Sequence, residues 1–205
     1  MAAIDGYGAL PPRARELLDF WFGPPGDPER ERHRDIWFRC PPDYDDTLRR
    51  LFLADWEQAA ASAFAAWEAA PPSALALVLL LDQIPRNIFR ATPQAYATDP
   101  LAHAIADRAL ARGFDAAFSP VWGKFFYMPL HHSEDLADQR RATALFASLP
   151  ERRDPADRDR RGGLRRYGLP YVEVIERFGR FPHRNAILGR PSTPEEIAFM
   201  KEAES

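Results

Sequence analysis

The sequence predicts an all-α fold, on three observations. Apolar residues recur at helical spacing in most segments. No stretch carries the alternating, β-branched pattern between tight turns that announces a sheet. Proline pairs at Pro24-Pro25, Pro41-Pro42 and Pro71-Pro72 bound the periodic segments, because proline lacks the amide that continues a helical ladder. With 205 residues and 46% hydrophobic content, the chain can bury one full core, and the expected organisation is a single domain spanning 1–205.

Taken in order, Leu17, Leu18, Trp21 and Phe22 give the first amphipathic face, ended by Gly23-Pro24-Pro25. A long helical pattern then carries Leu48, Leu51, Phe52, Trp56, Ala59, Ala60, Ala63, Phe64 and Trp67 and is expected to stop at Pro71-Pro72. Ser73 is the expected cap of a central helix from Ala74 to Gln83, apolar almost all round, ending where Pro85 disfavours helical geometry at Ile84. Asp82 at that C-terminal end opposes the helix dipole and calls for Arg86 or Arg90 as compensation. Asp99-Pro100 reads as a cap followed by a first-turn proline, and the helix it opens should end at Gly113. A further helix from Pro120 through Tyr127 is bent by Pro129, and Ser133 is the expected cap of the one that follows, from Glu134 to near Pro150. The stretch 151–166, with Asp154-Pro155 and Gly162-Gly163, reads as a mobile charged loop. Tyr171 to Phe178 resumes helical spacing, and Thr193 and Glu196 occupy capping-box positions of a last short helix.

Bulk properties exclude several function classes. A net charge of -3 and a pI near 6.0 leave no global footprint for duplex nucleic acid. The local run Arg152, Arg153, Arg158, Arg160, Arg161, Arg165 and Arg166 is largely neutralised by Glu151, Asp154, Asp157 and Asp159 and lacks stacking aromatics, so a solvated loop accounts for it better. Residues 1–6 lack the basic end and apolar core of a signal peptide, and the apolar run from Ala74 to Leu81 is too short to span a bilayer. One cysteine, Cys40, leaves no intramolecular disulfide and suits a reducing, cytoplasmic compartment. Isolated in its loop, it reads as inert. No phosphate-cradling glycine loop, dinucleotide fingerprint or nucleophile elbow is present, so no cofactor is expected.

The most informative feature is an echo. Gln83-Ile84-Pro85-Arg86-Asn87-Ile88-Phe89-Arg90 and Phe178-Gly179-Arg180-Phe181-Pro182-His183-Arg184-Asn185 each place Arg-Asn just after a proline, and each runs on through an arginine (Arg90, Arg190) into Thr-Pro. Two related turns rich in fixed donors are expected, since the arginine fork suits carboxylate or phosphate and asparagine both donates and accepts.

These segments, with Leu18 to Gly23, Leu80 to Asn87, Pro129 to Asp135 and Phe178 to Arg190, resemble a bacterial family of uncharacterised proteins, domain of unknown function nine-two-four, over nearly the whole chain. The resemblance implies an all-helical, tetratricopeptide-like right-handed array of antiparallel helix pairs and no established activity, although the tetratricopeptide signature itself is not legible in the sequence. Tyr171 stands where many relatives carry histidine and Ile84 where phenylalanine is usual.

The candidate ligand-binding residues are Asp82, Gln83, Arg86, Asn87, Arg90, Tyr127, His132, Glu134, Arg180, His183, Arg184 and Asn185. If the two Arg-Asn turns meet, they form a groove for a small anion or an acidic peptide, with helix N-termini at Thr92-Pro93 and Thr193-Pro194 adding amides. The competing structural reading has the arginines pairing with Asp82, Glu134 or Asp135 to hold irregular turns. His131, His132, Glu134 and Asp135 suit proton transfer by residue type, whereas the Pro129 and Ser133 interruptions spoil helical metal-ligand spacing. Their structural reading is a helix start with one histidine packed against aromatics. The catalytic alternative is a hydrolase-like site with His132 and His183 as acid and base beside Glu134, the arginines stabilising negative charge.

Overall fold

The computed structural model describes residues 6–37, 41, 43–149, 165–166 and 169–202. Cys40 and residues 151–164 of the expected charged loop lie outside the described residues. The fold is all-α. Its α-helices are α1 (Pro12–Phe22), α2 (Tyr44–Ala60), α3 (Pro71–Val78), α4 (Ile84–Ile88), α5 (Asp99–Ala111), α6 (Pro120–Gly123), α7 (Met128–His132), α8 (Leu136–Ser148), α9 (Tyr171–Phe178) and α10 (Pro194–Glu202). Among the described residues, the extended pairing is a two-residue antiparallel ladder of Arg165-Arg166 with Leu169-Pro170. The described chain forms two compact units, 1–129 and 130–205.

The first unit is built on aromatics and on one fully buried helix. From α1, Leu17, Leu18, Trp21 and Phe22 are buried, and Gly23 at φ 101 ends the helix with its amide donating to Asp19 O. Phe22 stacks on Trp122 with ring centroids 3.8 Å apart, and Trp21, Trp37 and Phe125 pack around them. A truncation such as Trp122→Ala in a cluster of this kind costs about 3 to 5 kcal/mol. Residues 72–85 are all buried, as expected for a segment apolar on every face.

Three helix boundaries differ from expectation. First, α2 stops at Ala60 rather than at Pro71-Pro72. Ser62 adopts the left-handed region at φ 62, with its amide bonding Ala59 O and the Ala63 amide bonding Gln58 O. This is a Schellman turn with serine where glycine is usual, so no glycine flags it. Second, Pro71-Pro72 begin α3 instead of ending α2, since proline is tolerated in a first helical turn. Ser73 is therefore not a cap; its hydroxyl donates back to Trp67 O and Ala70 O.

Third, the central helix does not end at Gln83. After α3 it widens into a π turn over Leu79–Gln83, in which the Ile84 amide donates to Leu79 O, five residues back, and it continues as α4 past Pro85. A proline inside a helix removes one amide and crowds the carbonyl four residues before it. That carbonyl, Leu81 O, accepts instead from the Thr98 hydroxyl at 2.6 Å, and Thr98 Oγ1 in turn accepts from Trp56 Nε1 at 3.2 Å. The wide turn and the substitute donor together let the helix pass its proline.

In the second unit, Val174, Ile175, Phe181 and Phe199 form the core, with Leu136, Tyr171, Phe178 and Met200 packed around it. The expected cap of α8 shifts by two residues. Asp135, not Ser133, accepts from the amides of Ala137 and Asp138, while Ser133 Oγ accepts from the Asp135 amide and donates to Asp138. The Thr193–Glu196 capping box is formed reciprocally, Thr193 N to Glu196 Oε2 at 2.7 Å and Glu196 N to Thr193 Oγ1 at 3.2 Å.

Candidate functional site

The two echoing segments adopt different backbones. Arg86 and Asn87 lie in α4, whereas Pro182–Arg184 form a single 3-10 turn. The echo survives in chemistry: in each segment, asparagine and arginine donate to carboxylates of their own unit.

In the first unit the π turn places Asp82 and Gln83 in the interior, where Gln83 Nε2 donates to Asp82 Oδ2 at 2.5 Å. Arg86 forks onto Asp99, Nη1 to Oδ1 and Nη2 to Oδ2, each at 2.8 Å, and Nη1 also reaches Asp82 O at 2.7 Å and Asp82 Oδ1 at 3.3 Å. Burial opposes the Arg86 charge, but Asp82 and Asp99 more than offset it and hold the guanidinium above its ordinary range. The expected partner of Asp82 is thus found in Arg86. Arg90 instead grips Asp45, Nε to Oδ2 at 2.7 Å and Nη2 to Oδ1 at 3.0 Å, beside Asn87 Nδ2 at 2.9 Å from Oδ1. Burial raises Asp45, and the Arg90 and Asn87 hydrogen bonds outweigh it, so the carboxyl titrates below its usual range. Asp99 does not cap α5: its carboxylate faces Arg86. Tyr127 donates to Asp115 Oδ2 at 2.8 Å, and burial and that bond push the phenol well above its usual range.

In the second unit, Glu134 is the hub. Its Oε1 accepts from the Phe181 amide at 2.8 Å and from Arg190 Nη2 at 2.9 Å, and its Oε2 accepts from Arg190 Nη1 at 2.6 Å. Burial raises this carboxyl, but the Arg190 fork, the Phe181 amide and the nearby Arg184 charge lower it by more, leaving it ionised below the ordinary range. Glu196 is the second hub. Arg180 forks onto it at 2.7 and 2.9 Å, Asn185 Nδ2 lies 3.2 Å from Oε2, and the Arg180 bond above all draws its pKa down to about 2. Asn185 Oδ1 accepts from Arg190 Nε at 3.0 Å, which links the two hubs. Arg184 is buried with its guanidinium 4.5 Å from the Phe181 ring centroid.

The imidazoles divide in role. His131 is buried and stacked on Tyr171 at 4.4 Å, with Phe146 edge-on at 5.7 Å, so one histidine of the pair does pack against aromatics. His132 and His183 are half-buried, the first with its ring 6.0 Å from His131 and the second 5.5 Å from Phe181. The amides expected to add to an anion site are used internally: Thr193 N–H is taken by Glu196, and the Thr92 N–H, at the start of a short 3-10 turn, donates to Phe89 O at 3.0 Å. Among the described residues, no group of three or more His, Cys, Asp or Glu is arranged to hold a metal ion. Nor, among them, is any helix long and apolar enough to cross a membrane.

Sequence reasoning missed Asp45, Asp99 and Arg190 as partners. Each is distant in sequence from the group it binds, by 45, 13 and 56 residues, and no local periodicity encodes such a pairing.

The family model described as bacterial protein of unknown function, DUF924, matches residues 17–204. A solved structure of a protein of unknown function from Agrobacterium tumefaciens is 37% identical, with a TM-score of 0.77, covering 97% of this chain and 99% of that one. Among curated proteins, none matches.

Proposed function

The chain belongs to the bacterial family of unknown function DUF924, and from that footing we propose that it is a helical binding module. On this reading the helices stack as pairs in a tetratricopeptide-like array, and the segment 180–190 of the second unit, with His132, takes a small anion or an acidic peptide, Glu134 holding Arg190 in place. The supporting observation is the charge arithmetic around the two hubs: Arg180, Arg184 and Arg190 gather about two carboxylates, Glu134 and Glu196. The cluster carries three positive charges against two negative ones and so favours an anion, while the Arg180 and Arg190 forks serve Glu196 and Glu134 and hold the segment in place. Asp82, Gln83, Arg86, Asn87 and Arg90 are the scaffold in this reading, because their donors and acceptors serve Asp45 and Asp99 and one another.

The hydrolytic alternative has weaker support. Both Glu134 oxygens are committed to Arg190 and the Phe181 amide, so orienting or deprotonating an imidazole would break bonds that hold the turn. Calorimetry against inorganic phosphate, sulfate and an acidic peptide tests the binding reading. Saturable binding is expected, weakened about tenfold or more in Arg184→Gln, consistent with loss of a charge-assisted contact. Absence of heat and of any melting shift across the panel would remove the proposal.

A further inference from the structure

The chain carries 25 arginines and only two lysines, Lys124 and Lys201. Wherever a fixed positive charge is wanted, this sequence uses arginine, whose guanidinium does not give up its proton. Lysine differs in that it can, and Lys201 is an exposed residue of the last helix. Lys124 sits elsewhere, half-buried at the end of α6, at the rim of the first unit's aromatic core.

Its surroundings have the form of an activated nucleophile. Lys124 Nζ lies 3.3 Å from His33 Nδ1, and the opposite ring nitrogen of His33 lies 3.8 Å from Asp35 Oδ1. Nucleophile, base and carboxylate in that order are the arrangement by which a weak nucleophile is deprotonated on demand, the His33–Asp35 contact here being of ion-pair rather than hydrogen-bond length. The Trp37 and Phe125 rings, with centroids 4.9 and 5.4 Å from Nζ, hold the ammonium in place at rest, and His33 packs edge-on against Trp37 at 5.4 Å. Trp37 stacks in turn on Trp21, which ties the cluster to the aromatic core. Asp35 is exposed, so the cluster opens to solvent on that side.

We propose that Lys124 is an amine nucleophile that forms a Schiff base with a small aldehyde or ketone, with His33 as its proton acceptor and Asp35 orienting His33. The ammonium gives one proton to His33, and the freed lone pair on Nζ bonds to the carbonyl carbon while the C=O π pair moves to oxygen. A second Nζ proton passes to that oxygen, giving the carbinolamine. His33 then returns its proton to the hydroxyl, which leaves as water as the nitrogen lone pair forms the C=N bond. The net change is ammonium plus carbonyl to protonated imine plus water, with no oxidant or further reactant.

The test is reductive trapping on the full chain with glyoxylate and cyanoborohydride, followed by peptide mass spectrometry, with Lys201 as the internal reference. Lys124 is expected to be labelled about a hundredfold faster than Lys201 or more, the lower end of what a positioned general base contributes. His33→Gln should bring the two rates together while leaving Lys201 unchanged. Asp35→Asn, at an exposed position, gives a second reading should His33→Gln fail to fold, and it should slow Lys124 alone. Labelling of Lys124 at or below the Lys201 rate in the wild-type protein overturns the proposal, as does a folded Asp35→Asn or His33→Gln protein with the wild-type ratio.

Discussion

Glu196 concentrates several functions in one carboxylate. It closes the capping box of α10, receives the Arg180 fork and accepts from Asn185, and it is buried. Its folded pKa, about 2, lies below the ordinary value of 4.5. A depressed carboxylate contributes stability that is fully present above its unfolded pKa and is lost as pH falls toward the folded one. Melting temperature measured against pH should therefore fall from about pH 4.5 downward, and Glu196→Gln should be less stable at neutral pH with a shallower acid limb. An identical acid limb in the variant would mean that the Arg180 pair stabilises nothing. Part of this residue's role was readable, since Thr193 and Glu196 stand three apart before an apolar run. Its clasp on Arg180 was not, because nothing in local sequence relates positions 180 and 196.

At the scale of elements, the central helix carries the most informative departure from local propensity. Pro85 ought to end it, and by sequence alone the stop belongs at Ile84. Tertiary structure supplies what the proline removes: a π turn gives the ring room, and the Thr98 hydroxyl takes over Leu81 O. Thr98→Val keeps the shape and deletes the hydroxyl, leaving Leu81 O and Trp56 Nε1 without this partner. A loss of about 2 to 3 kcal/mol is expected in denaturant melts; a loss near zero would show that the helix needs no substitute donor. The same limitation explains the shortened α2, where Ser62 takes a left-handed turn without a glycine to announce it. By contrast, Gly23, Gly113 and Gly179 all have positive φ at helix ends, and the C-terminal ends of α1, α5 and α9 were legible to within a residue or two.

For the molecule as a whole, fold class was the most legible property, because helical periodicity and proline spacing are written locally along the chain. The candidate site was legible as residue types and much less as geometry. The Arg-Asn echo correctly marks where donors are concentrated, yet it does not say that Asp45 and Asp99 claim those of the first segment, and Glu134 and Glu196 most of those of the second. Those assignments depend on contacts across tens of residues, which only the folded chain brings together. They support the division of labour proposed above, in which the first Arg-Asn segment is scaffold and the second takes the anion. A paired measurement tests that division most directly, comparing melting temperature and phosphate affinity in Arg86→Ala and Arg184→Gln. The account predicts that Arg86→Ala, which leaves Asp82 and Asp99 without their cation, lowers melting markedly but leaves the affinity of the folded protein unchanged, while Arg184→Gln weakens affinity about tenfold. Equal affinity in wild type and Arg184→Gln, or lost affinity in folded Arg86→Ala, would contradict it.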